Sequence, residues 1–148
     1  MRAITLEIGR DGALVRVRLG LTDLQRRTLK GLGREPAPPQ ELTLVVDTGA
    51  SHTFVDQSAM LALGVPPTNT HRFHSASTRG IADTCAAYTV GLQLGSAVGA
   101  NVLRIEPLEV MAGMFVGDAY QGLLGRDVLN RMHLGWRGPG AFAELSFP

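Results

Sequence analysis

Apolar and polar positions alternate in short runs along most of this chain, and glycine, proline, aspartate or asparagine punctuates nearly every run. A period of two broken by turn residues predicts strands, with few helices. Residues 4–8 and 14–19 are two such runs flanking Gly9-Arg10-Asp11-Gly12, whose glycines and aspartate tolerate the positive φ of a tight hairpin. In the second run Val15, Val17 and Leu19 face one side, and Arg16 and Arg18 the other. Residues 21–40 break the rhythm: Leu21, Leu24 and Leu32 are weakly helix-spaced, Gly31 and Gly33 interrupt, and Pro36, Pro38 and Pro39 end regular structure. An exposed insertion with room for one helical turn is expected there. Residues 42–46 then form a nearly continuous apolar run, the mark of a strand buried on both faces, leading directly into Asp47.

Further on, Asp56 or Ser58 can cap a short helix through Leu63, with Gly64 as its stop and Pro66 and Pro67 beyond. Residues 73–94 read as a hairpin with its turn near Ser77-Thr78-Arg79-Gly80-Ile81. Residues 102–111 supply one or two strands broken at Pro107. Gly122-Leu123-Leu124-Gly125 leads into a short helix over 126–132, and residues 141–147 are strand-like again. The whole, residues 1–148, fits a single domain large enough to bury a core without disulfides or metals.

Composition narrows the function classes. With 45% hydrophobic and 18% charged residues the chain is no disordered tail, and no apolar run approaches the roughly 20 residues that span a bilayer, so a soluble protein is expected. A net charge of +1 provides no global field for nucleic acid or anionic membrane, and the local stretch of Arg26, Arg27, Lys30 and Arg34 reads as a solvated surface. The first residues lack the apolar core of a secretory leader, and Cys85 is the only cysteine, so no internal disulfide forms and a cytoplasmic location is expected. Cys85 itself reads as a small core residue.

The chemistry centres on Leu44-Val45-Val46-Asp47-Thr48-Gly49-Ala50-Ser51, a carboxylate delivered on a turn straight after a buried strand. Asp-Thr-Gly alone is weak evidence, because Asp and Gly are ordinary turn formers. Its context is more specific: the apolar strand before it, Ala50 and Ser51 after it, and Leu123-Leu124-Gly125-Arg126-Asp127 far downstream. Together these resemble the retropepsins, the retroviral-type aspartic proteases and their cellular and bacterial relatives. The resemblance implies an all-β closed barrel with a flap hairpin and one short C-terminal helix, acting as a homodimer. It places Leu123, Leu124 and Gly125 beneath Asp47. It makes Thr48 a positioning residue that hydrogen-bonds across the dimer axis, lets substrate backbone approach at Gly49, and puts Ala50, Ser51 and the flap residues Gly80 and Ile81 against the peptide. No cofactor or metal is implied.

Peptide hydrolysis by carboxylates needs one group to take a proton from water and another to give one to the carbonyl oxygen. Two close carboxyls sharing a proton fill both roles. This chain holds one such motif, so a twofold dimer supplies the second Asp47. In the family the chain ends form the interface, and residues 2–8 and 141–147 both look like strands; deleting 141–147 is expected to abolish dimers and activity together. Substrate peptides are expected to bind extended beneath the flaps with apolar side chains in subsites.

Two departures from the viral pattern stand out. Ser51 replaces an acidic residue, leaving Arg126 to find Asp56, Asp127 or solvent. Ala50 has no hydroxyl to donate to the carboxylate, which should raise the pair's apparent pKa and move activity toward mildly acidic or neutral conditions. Other readings stay open. The fold could persist as a catalytically silent dimerisation or peptide-binding module, a zinc hydrolase could use His71 and His74, and the natural substrate could be a longer precursor of the chain itself. His52 and His133 read as surface or structural residues; Asp83, Asp118 and Asp127 as turn or cap residues.

Overall fold

The alternating runs become the strands of one sheet that curls until it meets itself. The computed structural model describes residues 1–74, 83–95, 101–115 and 119–148. In chain order the elements are β1 (Arg2–Gly9), β2 (Gly12–Gly20), α1 (Asp23–Gly31), β3 (Gln40–Val46), β4 (Phe54–Asp56), α2 (Gln57–Leu63), β5 (Asn69–Phe73) and β6 (Asp83–Leu94). They continue with β7 (Leu103–Gly113), β8 (Gly122–Leu124), α3 (Arg126–Leu129), β9 (His133–Arg137), a 3-10 turn over Gly138–Gly140, and β10 (Phe142–Phe147). The sheet order is β5-β6-β7-β4-β8-β3-β2-β1-β10-β9, and a further pairing of β6 with β2 closes a barrel of six strands, β6, β7, β4, β8, β3 and β2. The fold is thus mostly β with few helices. Val15, Val17, Leu19, Leu44, Val90, Leu92, Val110 and Leu124 fill its core, each at 1% exposure or less. Among the described residues no helix is long and apolar enough to cross a membrane.

The first hairpin forms as its pattern predicts, with Gly9 opposite Gly12. In β3, Leu44 and Val45 are buried on opposite faces while Leu42 and Val46 are half-buried. Asp56 caps α2 by accepting a hydrogen bond from the Ser58 N–H at 3.1 Å, and Gly64 closes that helix at φ 69°. β5 and β6 pair antiparallel from Asn69↔Ala87 to Phe73↔Asp83, so the second arm of the expected hairpin is in place, while the first starts at Asn69 and ends at Phe73, where the expectation has it begin. Its tip, with Gly80 and Ile81, lies outside the described residues, as does Asp118.

Several elements differ from expectation. Within 21–40 the helix α1 runs for nine residues, not one turn. Thr22 Oγ1 accepts from the Gln25 N–H at 3.1 Å and Gln25 Oε1 accepts from the Thr22 N–H at 2.8 Å, a reciprocal capping box that starts the helix. No residue of α1 itself is buried; Leu21 just before it is. Pro107 does not divide β7. The pairing with β6 slips between Val90 and Leu92, and this bulge receives the residue that lacks an N–H. The C-terminal helix α3 stops at Leu129, short of residue 132, and is accompanied by α1 and α2.

The C-terminal segment also bears on the expected deletion of residues 141–147. β10 is an interior strand between β1 and β9, and Ala143, Leu145 and Phe147 are fully buried. Removing residues 141–147 would therefore take out part of the core, so it cannot report on dimer formation alone. The open edge at this end of the sheet is β9.

Candidate active site

Asp47 stands where β3 leaves the barrel. β3 and β8 pair in parallel through Val45↔Leu123 and Val46↔Leu124, and the Asp47 N–H continues the ladder to the Leu124 carbonyl at 3.0 Å. β4 flanks β8 on its other side, pairing Phe54 with Leu123 and Val55 with Gly122. The Leu123-Leu124 pair therefore lies directly beside the strand that carries the carboxylate. The approach is tight: a Cβ on Gly122 would sit 2.1 Å from the Phe54 carbonyl oxygen, and one on Gly125 would sit 2.4 Å from that of His52. Only glycine lets three backbones converge there.

The loop after β3 is tied down locally and from a distance. The Gly49 N–H donates to Asp47 Oδ1 at 2.8 Å, and the Ala50 N–H to the Asp47 carbonyl at 3.2 Å. From α3, the Arg126 N–H donates to the Ala50 carbonyl at 2.8 Å, and the Arg126 guanidinium to the Thr48 carbonyl at 2.8 Å. Among the described residues this arginine pairs with neither Asp56 nor Asp127; it braces the backbone of the Asp47 loop. Thr48 and Gly49 are exposed, Asp47 and Ala50 half-buried. Ser51 is exposed and its Oγ lies 3.0 Å from His52 Nδ1.

Beneath the loop lies a link the sequence did not announce. Thr53, fully buried, donates from its hydroxyl to Asp127 Oδ1 at 2.8 Å and from its N–H to Asp127 Oδ2 at 3.0 Å. The same hydroxyl accepts the Gly125 N–H at 3.1 Å. Asp127, in the first turn of α3, also accepts the Val128 N–H at 2.9 Å, so one carboxylate ties that turn to the segment entering β4. A threonine three residues after Gly-Ala and an aspartate two after a glycine offer no pattern that pairs them in advance. Asp56, for its part, accepts hydrogen bonds from Ser58 and from the Phe115 N–H, and these hold its carboxyl below the ordinary value of 3.8.

In front of Asp47 opens a cleft of about 590 Å³, whose walls include Ser51, Phe54, His71, Phe73 and Leu123. A larger concavity of about 810 Å³ crosses β1 and β2, with Thr5, Glu7, Arg16 and Glu41 in its lining and Asp47 outside it. We place the site at the smaller cleft, because there a carboxylate on a braced loop meets an apolar wall. Phe54 and Phe73 pack edge to face at 5.6 Å, joining the tip-side end of β5 to the start of β4. Cys85 also lines the cleft, half-buried and not in the core as expected. Burial, with some help from Asp83, raises its thiol pKa. His71 Nε2 lies 2.7 Å from Glu109 Oε1, and among the described residues no cluster of three or more His, Cys, Asp or Glu groups could hold a metal ion.

Comparison with known proteins agrees with this geometry. A model of the family described as aspartyl protease matches residues 28–128, which take in Asp47 and Gly125 alike. Among solved structures, the chain is similar to the crystal structure of a retropepsin-like aspartic protease from Rickettsia conorii. The TM-score is 0.57 at 16% identity, covering 98% of this chain and 90% of that one. Among curated proteins, none matches the chain.

Proposed function

Since the chain belongs to the aspartyl protease family and shares its fold with a retropepsin-like aspartic protease, we propose that it is an endopeptidase in which Asp47 from each of two subunits forms one catalytic pair. The observation that carries this reading is the seat of Asp47: a carboxylate at the end of a barrel strand, with Oδ1 held by the Gly49 N–H, facing a cleft with no other carboxylate among its described lining residues. One carboxylate is half of the chemistry, and a second copy provides the other half.

With two Asp47 carboxyls close together, one keeps a proton and the other is ionised. The ionised one takes a proton from water as the water oxygen attacks the scissile carbonyl carbon, while the protonated one gives its proton to the carbonyl oxygen. Collapse of the tetrahedral diol breaks the C–N bond: the leaving nitrogen collects the proton held by one carboxyl while the other, ionised carboxylate takes a proton from a diol hydroxyl, so the shared-proton state returns. Thr48, on the braced and exposed loop, positions the two halves; Gly49, Ala50 and Ser51 contact substrate backbone, and the tip of the β5–β6 hairpin with Gly80 and Ile81 covers it.

The dimer contact this fold favours is the β9 edge. Leu134 and Trp136 stand opposite Leu145 and Ala143 in the register, so they extend the apolar face that is fully buried on β10. On β9 that face runs out into solvent, and Trp136 is 55% exposed. Pairing of β9 with its own copy would cover the tryptophan and satisfy an open strand edge in one step.

The test is cleavage of an unfolded protein mixture, read by mass spectrometry from acidic to neutral pH, for the wild type and Asp47→Asn. The wild type should cut and the variant should not, with chelator making no difference. Cleavage by the variant at the wild-type rate refutes the role of Asp47. Cleavage by neither, from a confirmed dimer, leaves the fold as a silent peptide-binding module.

A further inference from the structure

The loop that carries Asp47 commits most of its hydrogen-bonding groups to itself and to α3. The carbonyls of Asp47, Thr48 and Ala50 accept from the Ala50 N–H, the Arg126 guanidinium and the Arg126 N–H, and the N–H groups of Gly49 and Ala50 are engaged with Asp47. From Asp47 to Ala50 only the Gly49 carbonyl has no donor among the described residues. The next residue, Ser51, is exposed and lines the cleft together with His52. Its own N–H has no acceptor among the described residues, and its Oγ lies 3.0 Å from His52 Nδ1. The His52 ring is placed in turn from the neighbouring strands: its centre is 5.9 Å from that of His71 on β5, and His71 Nε2 lies 2.7 Å from Glu109 Oε1 on β7.

One hydrogen lies between Ser51 Oγ and His52 Nδ1, and the atom that owns it sets what Ser51 offers a peptide. With Nδ1 unprotonated, the hydroxyl donates to the ring and its oxygen keeps lone pairs for an incoming N–H. With a proton on Nδ1, the oxygen accepts from the ring and its O–H is left over as a donor. A substrate strand presents an N–H as well as a C=O at each residue. Ser51 already has a donor in its own main chain, so the group it lacks is an acceptor. We infer that His52 is a positioning residue whose Nδ1 takes the Ser51 hydroxyl proton, so that Ser51 Oγ accepts one backbone N–H of the substrate. This rests on the protease reading of the cleft and adds a rule of specificity to it: proline, which has no N–H, is refused at that position. In a twofold dimer one such contact falls in each half of the bound peptide.

The experiment uses the full chain carrying Asp47→Asn, so that peptides bind without being consumed. A fluorescent peptide with a central Phe is compared, by anisotropy, with a series in which one backbone N–H at a time is replaced by an ester oxygen. At one position in each half the ester should bind about tenfold weaker than the amide, because a hydrogen bond is lost and the ester oxygen faces the lone pairs of Ser51. Proline at the same positions should bind no better than the ester. Ser51→Ala should bring the amide-to-ester ratio there close to one. His52→Phe, at an exposed position, should lower it to about threefold, and His52→Asn, whose amide oxygen can stand where Nδ1 stands, should restore it. A general loss of structure weakens amide and ester alike and leaves the ratio unmoved. An equal ester penalty at every position, or a ratio unchanged by Ser51→Ala, overturns the contact while leaving the protease intact; a ratio unchanged by His52→Phe overturns the role of His52. Position-selective binding with no cleavage by the wild type overturns the protease and keeps the contact. No binding of any peptide overturns both.

Discussion

Replacing Thr53 with valine removes one hydroxyl from the floor of the site and almost nothing else, since the two side chains share a shape. The hydroxyl donates to Asp127 at 2.8 Å and accepts from the Gly125 N–H at 3.1 Å in a fully buried position. Without it the Gly125 N–H has no acceptor, which costs about 1–3 kcal/mol. Asp127 loses one donor but keeps the N–H groups of Thr53 and Val128, so its loss is about 1 kcal/mol. The added methyl returns up to about 0.8 kcal/mol. The net expectation is a destabilisation of about 1–3 kcal/mol, or a fall in Tm of roughly 2–12 °C for a chain of this size. Urea unfolding at one fixed protein concentration measures it. Thr53→Ser is the partner variant: it keeps both hydrogen bonds, gives up a methyl, and should lose only about 1 kcal/mol. Valine within about 0.5 kcal/mol of wild type, or more stable than serine, refutes the link as a support of the site.

Two further outcomes follow from the same coordinates. Trp136→Glu places a charge on the exposed apolar end of β9; sedimentation should show monomers at concentrations where the wild type is dimeric, with the fold retained by circular dichroism, and an undiminished dimer rejects β9 as the contact. Asp56, whose carboxyl is held below 3.8 chiefly by the Ser58 hydroxyl and then by the Phe115 N–H, contributes stability that is present above its unfolded value and is lost as pH falls through the folded one. The deficit of Asp56→Ala in chemical unfolding should therefore be larger at about pH 6 than at about pH 2, and an equal deficit at both rejects the assignment.

The parts of the fold that could be read beforehand are those whose signals are local. The Gly9 to Gly12 turn, the apolar strand ending at Asp47, and the Asp56 and Gly64 caps each announce themselves within a few residues. The capping box of Thr22 and Gln25 was equally local and marks a helix that Gly31 and Gly33 obscured. β9 was missed because His133-Leu134-Gly135-Trp136-Arg137 has neither the length nor the branched residues of a typical strand; it is set by pairing with β10, a tertiary effect. Pro107 misled because a proline is compatible with a strand at a bulge, and the bulge depends on the facing residues of β6. At the site, Asp47 and the Leu123-Leu124-Gly125 segment were legible as motifs, whereas the Arg126 contact with Thr48 and the Thr53 link to Asp127 each join side chain to partner across more than 70 positions. No spacing rule reaches that far. Cys85 was assigned to the core from residue type alone, and strand β6 turns it toward the cleft instead.

The parallel pairing of β3 with β8 has a consequence in time. Every distant tie that seats Asp47 comes from residues 122–127, a stretch that leaves the ribosome more than 70 residues after the carboxylate does. Contacts of that separation form late, because the loop between them must close first. A growing chain thus carries its Asp47 loop unbraced until almost the whole domain has been made.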